Sequence, residues 1–217
     1  MLEDIIYLMG GFIKMVESQL SSKYISKDRL ETLVDGIFAI AMTLLVFDLP
    51  IPHFNNPLTN IAFQNSVYSL LPIFVSLVLS FILLAVFWSI HRRIFIQIRV
   101  TNSILLWITI IWLLFIVLVP FTSILDGMYG PEFILARVIF NVNMIGIALF
   151  LFLNCYYVSR SDLIYEKADR TKLKSSERSS LLFIVIAVIA LLISFITAQW
   201  SLIYLLIIPL ELLIDKL

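Results

Sequence analysis

Long apolar runs separated by short polar stretches set the pattern of this chain. A helix needs about 20 residues to cross a ~30 Å hydrocarbon core. Six stretches meet that length, at about residues 29–51, 65–92, 101–125, 131–158, 178–197 and 199–214. The last two come from one apolar run, Ser180 to Ile214. A single straight helix of that length would extend about 50 Å. It is therefore expected to fold back at the polar step Thr197-Ala198-Gln199. Pro72 reads as a kink inside the second span, Pro120 lies inside the third, and Pro131 suits the start of the fourth. The expected architecture is an all-α membrane protein with a six-helix domain over 29–217 and an N-terminal cytoplasmic or interfacial segment over 1–28. Within that segment Ile5 to Val16 is apolar but too short to span. It reads as an interfacial amphipathic helix or a short cytosolic one. The first ten residues carry Glu3 and Asp4 and no Lys or Arg, unlike a cleaved signal peptide.

The basic residues orient these spans. Lys14, Lys23, Lys27 and Arg29 precede or open the first. Arg92, Arg93 and Arg99 lie between the second and third. Arg160, Lys167, Arg170, Lys172, Lys174 and Arg178 fill the stretch between the fourth and fifth, and Lys216 ends the chain. Because Lys and Arg collect on the cytoplasmic side, both termini are expected there, in the cell membrane. Of 15 basic residues only Arg137 then falls outside. An odd number of spans would destroy the alternation.

Composition agrees. Hydrophobic residues make up 61% of the 217 and charged ones 14%, with a mean hydropathy of +1.05. That much apolar surface needs lipid. A soluble enzyme, a disulfide-built secreted scaffold and a disordered chain are excluded. The formal net charge is zero, and no polybasic tail points to nucleic acid. Cys155 is the single cysteine, so no intramolecular disulfide is available.

Catalytic chemistry is not expected. The chain has no HExxH, GxSxG or phosphate-loop motif. His53 and His91 fall on opposite sides of the membrane, so no fixed metal site and no cofactor are expected. A TVGYG-like carbonyl filter is also missing. A permeation path must be built from side chains.

The first span is where polar residues enter the membrane, and such residues are functional suspects. Arg29 and Asp35 are separated by roughly 120° around a helix, too far to pair on one face. Partners are expected at the inner end of the second span, where Trp88 and His91 lie at i and i+3. This grouping reads as a lock between the two spans or, through His91, as a gating element. Further along, Ile40, Leu44 and Phe47 recur at i, i+4 and i+7, with Thr43 beside them and the small Gly36 and Ala39 below. Spacing alone fits either a packing face or an apolar ring that gates by dewetting. On the outer side, Asp48, Asp126 and Glu132 read as helix ends and turns or as an acidic mouth that concentrates cations.

The run Arg29-x-x-x-Leu33-Val34-Asp35-Gly36-Ile37-Phe38-Ala39-Ile40-Ala41-Met42-Thr43-Leu44-Leu45-Val46 resembles the signature of the transmembrane protein 175 potassium channels in their prokaryotic form. That family reads R-x-x-x-F-S-D followed by G-[VI]-F-A-I-A-x-T-L-L-V. Here Leu33 replaces Phe and Val34 replaces Ser. Trp88-Ser89-Ile90-His91-Arg92-Arg93 is similar to the family's W-x-x-H-H/R-R block, and Asn102 and Pro120-Phe121 fit as well. The resemblance implies a homotetramer in the lipid bilayer with the first span of each subunit lining a central pore. Ile40, Leu44 and Phe47 would form the hydrophobic constriction, although an aliphatic residue is usual where Phe47 stands. Thr43 would supply a hydroxyl layer. Arg29, Asp35, Trp88 and His91 would form the network holding the first span, with Asp48 at the outer mouth. The implied function is a passive, potassium-preferring cation channel whose permeant ion is K⁺. The alternative is a proton-permeable channel or a proton-coupled cation transporter. A membrane scaffold or embedded enzyme ranks last for want of catalytic groups.

Overall fold

The computed structural model describes residues 24–47, 49–50, 59–197 and 204. The expected span at 199–214, the segment before residue 24, and His53, Asp48 and Lys216 lie outside the described residues.

Among the described residues five stretches are long and apolar enough to cross a membrane. The first is α1, Lys27–Phe47. The second is α2, Asn60–Ser69, continued by α3, Leu71–Gln97. The third is α4, Ser103–Val117, continued by α5, Val119–Tyr129. α6, Ile134–Ser159, and α7, Arg170–Ser194, are unbroken. Two residues on each side form the only strands among the described residues. β1, Tyr24–Ile25, pairs antiparallel with β2, Thr101–Asn102, and ties the entry of α1 to the entry of α4.

Proline explains both interruptions. Pro72 and Pro120 each sit two residues into the new helix, where a missing N–H costs nothing. The junction residues Leu70 and Leu118 keep φ near −80° and −77° and ψ near −11° and −12°, so the chain bends while remaining right-handed. Elsewhere side chains set the starts. Asn102 accepts from the Leu105 amide at 3.0 Å, and Asp169 accepts from the Thr171 and Lys172 amides at 3.0 and 3.2 Å. The fourth span begins at Ile134, a turn later than Pro131, because the stretch from Gly130 to Phe133 is used in turn hydrogen bonds to Asp126 and Tyr129.

α6 and α7 pack most extensively. α3 packs on α5, α1 and α7, and α4 packs on α6. α1 packs on α3, α4 and α5. The core joins Phe38, Phe87, Trp112, Phe140, Met144 and Phe183. Polar clasps cross its helix contacts. Thr109 Oγ1 lies 2.9 Å from Asn154 Oδ1 between α4 and α6. Asn143 donates to Thr122 at 3.3 Å between α6 and α5. Between α3 and α5, Ser80 donates to Ser123 at 2.9 Å, and Ser76 donates to the Ser123 carbonyl at 3.0 Å. In a medium without water a polar group needs such an internal partner.

Candidate functional site

α1 divides lengthwise into two faces. Leu30, Val34, Phe38, Ala41 and Leu45 recur at three- and four-residue steps and are buried against the rest of the subunit. The opposite side carries Arg29, Leu33, Gly36, Ile40, Thr43, Leu44 and Phe47, all exposed. Ile40 is 59% exposed, Leu44 42% and Phe47 82%. Among the described residues the ridge is therefore no packing face. A Cβ built on Gly36 would meet nothing within 4 Å, so the smallness of that residue serves no contact among the described residues either.

Thr43 interrupts the ridge without breaking it. Its hydroxyl lies 3.0 Å from the Ala39 carbonyl and 2.9 Å from the Ile40 carbonyl. The single proton is thus spent on the helix backbone. The oxygen lone pairs remain outward, on the side where Ile40 and Leu44 are exposed.

Below the ridge, Trp88 Nε1 on α3 donates to Asp35 Oδ1 at 2.8 Å, a charge-assisted bond that fixes α1 to α3. The Arg92 guanidinium lies 5.4 Å from the Trp88 ring centroid, within cation–π range. His91 points the other way. It is buried and stacked between Phe95, at 4.1 Å, and Trp112, at 4.6 Å. Trp112 in turn meets Phe38 of α1 at 5.4 Å. His91 thus reaches α1 through an aromatic relay, whereas Trp88 reaches it through a hydrogen bond. Arg29 is exposed at the first turn of α1, on the side of the apolar ridge.

The relay through Trp112 and Phe38 has no sequence signal. The stretch from Ile104 to Leu114 is apolar on every side, so periodicity cannot single out Trp112. The outer acidic residues also separate. Glu132 is exposed. Asp126 is only 8% exposed and turns inward, with Ser76 Oγ 3.5 Å from its Oδ2, so it belongs to the α3–α5 contact rather than to an outer mouth. Arg137, the one basic residue expected on the outer side, is enclosed. It is 7% exposed, and its Nη1 donates to the Thr197 carbonyl at 2.9 Å, fastening α6 to the end of α7.

Residues 29–120 match the model of the family described as "Endosomal/lysosomal potassium channel TMEM175". Over that stretch, less than half of the chain, it is similar to that family. The match takes in α1, α3 and α4, the elements that carry the ridge, Trp88, His91 and Trp112. A potassium channel of Chamaesiphon minutus is 29% identical over 145 residues, covering 65% of this chain and 71% of its own. A potassium channel of a Chryseobacterium strain is 29% identical over 98 residues, 45% of this chain and 47% of its own. One of Streptomyces collinus is 23% identical over 141 residues, 64% of this chain and 67% of its own. The crystal structure of a lysosomal potassium-selective channel TMEM175 homolog from Chamaesiphon minutus superimposes with a TM-score of 0.76 at 23% identity, covering 87% of this chain and 98% of that one. A variant of the potassium channel MtTMEM175, bound to a nanobody fusion protein, gives 0.56 at 20% identity, covering 87% and 91%. The TMEM175 fold is shared, and the chain is a multi-pass membrane protein by its apolar helices.

Proposed function

We propose that this protein is a passive, potassium-preferring cation channel of the cell membrane. Four copies surround an axis and turn the exposed ridge of α1 toward it, with both termini on the cytoplasmic side. The observation that carries this reading is the ridge itself. A membrane-length helix leaves Ile40, Leu44 and Phe47 unburied while its other face packs tightly. Four copies of this ridge around an axis would enclose a lumen. The family relatives named as potassium channels support the same reading.

In this reading Ile40, Leu44 and Phe47 form stacked apolar rings. A narrow apolar ring resists wetting, and K⁺ loses its hydration shell at lower cost than Na⁺. Thr43, whose proton is held by its own helix, presents oxygen lone pairs to the partly dehydrated ion between them. Asp35 and Trp88 hold α1 at its inner end, and the His91–Trp112–Phe38 relay supports it from behind. Asp48 adds charge at the outer end. Arg29 completes the inner network in the assembled pore.

Flux of K⁺ against Na⁺ from liposomes holding the purified protein tests this reading. K⁺ is expected to move down its gradient with no counter-substrate. Ile40→Asn, which wets the ring, is expected to raise flux and to reduce the K⁺ preference. A K⁺ flux that saturates and requires proton exchange would replace the channel by a transporter. An unchanged flux in Ile40→Asn would remove that residue from the pore.

A further inference from the structure

α7 carries a second ridge with a different chemistry. Its buried face is Leu173, Ser176, Ser179, Ser180, Phe183, Ile186, Ala187, Ala190 and Ser194. Its exposed face begins with Arg170, Lys174 and Arg178 at steps of four. The same line continues as Leu181, Val185, Val188 and Leu192, which are 45%, 52%, 40% and 61% exposed. Steps of three and four keep all seven on one side of a helix. The basic stripe thus runs straight into the apolar stripe.

Lengths place the junction. The residues from 179 to 194 extend about 24 Å as a helix, most of the ~30 Å of a hydrocarbon core. Arg178 then stands at the edge of that core, and Arg170 lies about 12 Å further out. That interval covers the headgroup layer. A marker at the end of α6 agrees. Arg160 bonds Glu177 at 3.4 Å, and its guanidinium lies 3.6 Å from the ring centroid of the exposed Tyr156. An exposed tyrosine at this height matches the aromatic belt of a membrane interface.

The nearby acids do not neutralise the stripe. Glu177 is taken by Arg160. Asp169 caps α7 and reaches Lys172 at 3.9 Å. Arg170 gives one weak bond to the Ser159 carbonyl at 3.5 Å, which leaves its other donors available. No ion pair of Lys174 or Arg178 occurs among the described residues.

We propose that Arg170, Lys174 and Arg178 form a binding site for the headgroups of anionic phospholipids in the leaflet that α7 enters. The charge is complementary, the three cations are spread through the depth of the headgroup layer, and the apolar stripe directly beyond them receives the acyl chains. α7 packs on α6 and α3, whereas α1 packs on α3, α4 and α5, so the site is separate from the ridge of α1. It requires only that α7 crosses the bilayer, so it stands whether or not the protein conducts K⁺.

Native mass spectrometry of the full-length protein, with phosphatidylglycerol and phosphatidylcholine offered in equal amounts, tests this site. The wild type is expected to retain phosphatidylglycerol preferentially. Each of R170Q, K174Q and R178Q is expected to weaken that retention by about fivefold, and the triple variant to abolish the preference. K172Q, whose partner is Asp169, is expected to change nothing, and R178K to keep wild-type retention. If the triple variant does not fold, the three single variants carry the readout. No preference in the wild type, or an equal loss in K172Q and R178Q, would overturn the proposal. Displacement of bound phosphatidylglycerol by millimolar inorganic phosphate would also overturn it, in favour of a free-anion site.

Discussion

α1 and α6 are both membrane-length helices, and both carry polar residues within their apolar lengths. They place them oppositely. On α6, Arg137, Asn141, Asn143 and Asn154 are all buried. Their partners are on other elements: Thr197, Tyr204, Thr122 and Thr109. On α1, Asp35, Gly36 and Thr43 are exposed, and the buried face is wholly apolar. A polar group aimed inward in a membrane protein joins helices. On α1 the outward groups differ: Asp35 is still held by Trp88 of the same subunit, whereas Thr43 bonds only its own helix and stands on the exposed ridge. The contrast separates the residues that build the fold from those that the proposed function uses.

The comparison breaks most severely where backbone meets backbone across two helices. A Cβ on Gly127 would lie 2.7 Å from the Cα of Ile73, so backbone would have to move. Gly127→Val is expected to separate α5 from α3 and to abolish recovery of folded protein, read by size-exclusion chromatography in detergent. Next comes a clasp. Thr109→Val keeps the shape but removes the hydroxyl beside Asn154 Oδ1. It is expected to cost about 1–3 kcal/mol, seen as a lower melting temperature, with ion preference unchanged. Trp88→Phe removes the donor to Asp35 together with part of the ring that Arg92 faces. It is expected to cost about 1–2 kcal/mol, and faster hydrogen exchange should appear first in α1. The smallest effect belongs to the outward face. Gly36→Ala meets nothing and is expected to leave stability level or raise it by up to about 1 kcal/mol, read as a level or higher melting temperature. A large loss of stability there would mean that Gly36 packs against another element.

Much of this division was legible in the residues. The period of Ile40, Leu44 and Phe47 identified one ridge, and the basic residues marked the ends of the spans. Apolar length gave the five spans that the structure describes. What spacing could not decide was the direction of that ridge. A helix that is apolar all round has no internal mark of which side is covered. The same blindness hid Trp112, which lies in an apolar run yet joins His91 to Phe38. Charge was ambiguous at Asp126, which fitted a helix end or an acidic mouth, and Arg137 had no reading from position alone. Both are enclosed, because Ser76 of α3 and the Thr197 carbonyl just past α7 lie beside them. The prolines were legible as bends, and the structure adds that each starts a new helix instead of kinking an old one.

The direction of the α1 ridge is the central claim, and a single cysteine tests it. Cys155 is the only native cysteine and is buried. Ile40→Cys in a Cys155→Ala background can therefore be labelled without a competing thiol. K⁺ current through the reconstituted variant would be recorded before and after a water-soluble thiol reagent. Block of the current, reversed by reductant, is the result expected if Ile40 faces the ion path. Unchanged current together with labelling only by a membrane-soluble reagent would place the ridge in lipid and contradict the account.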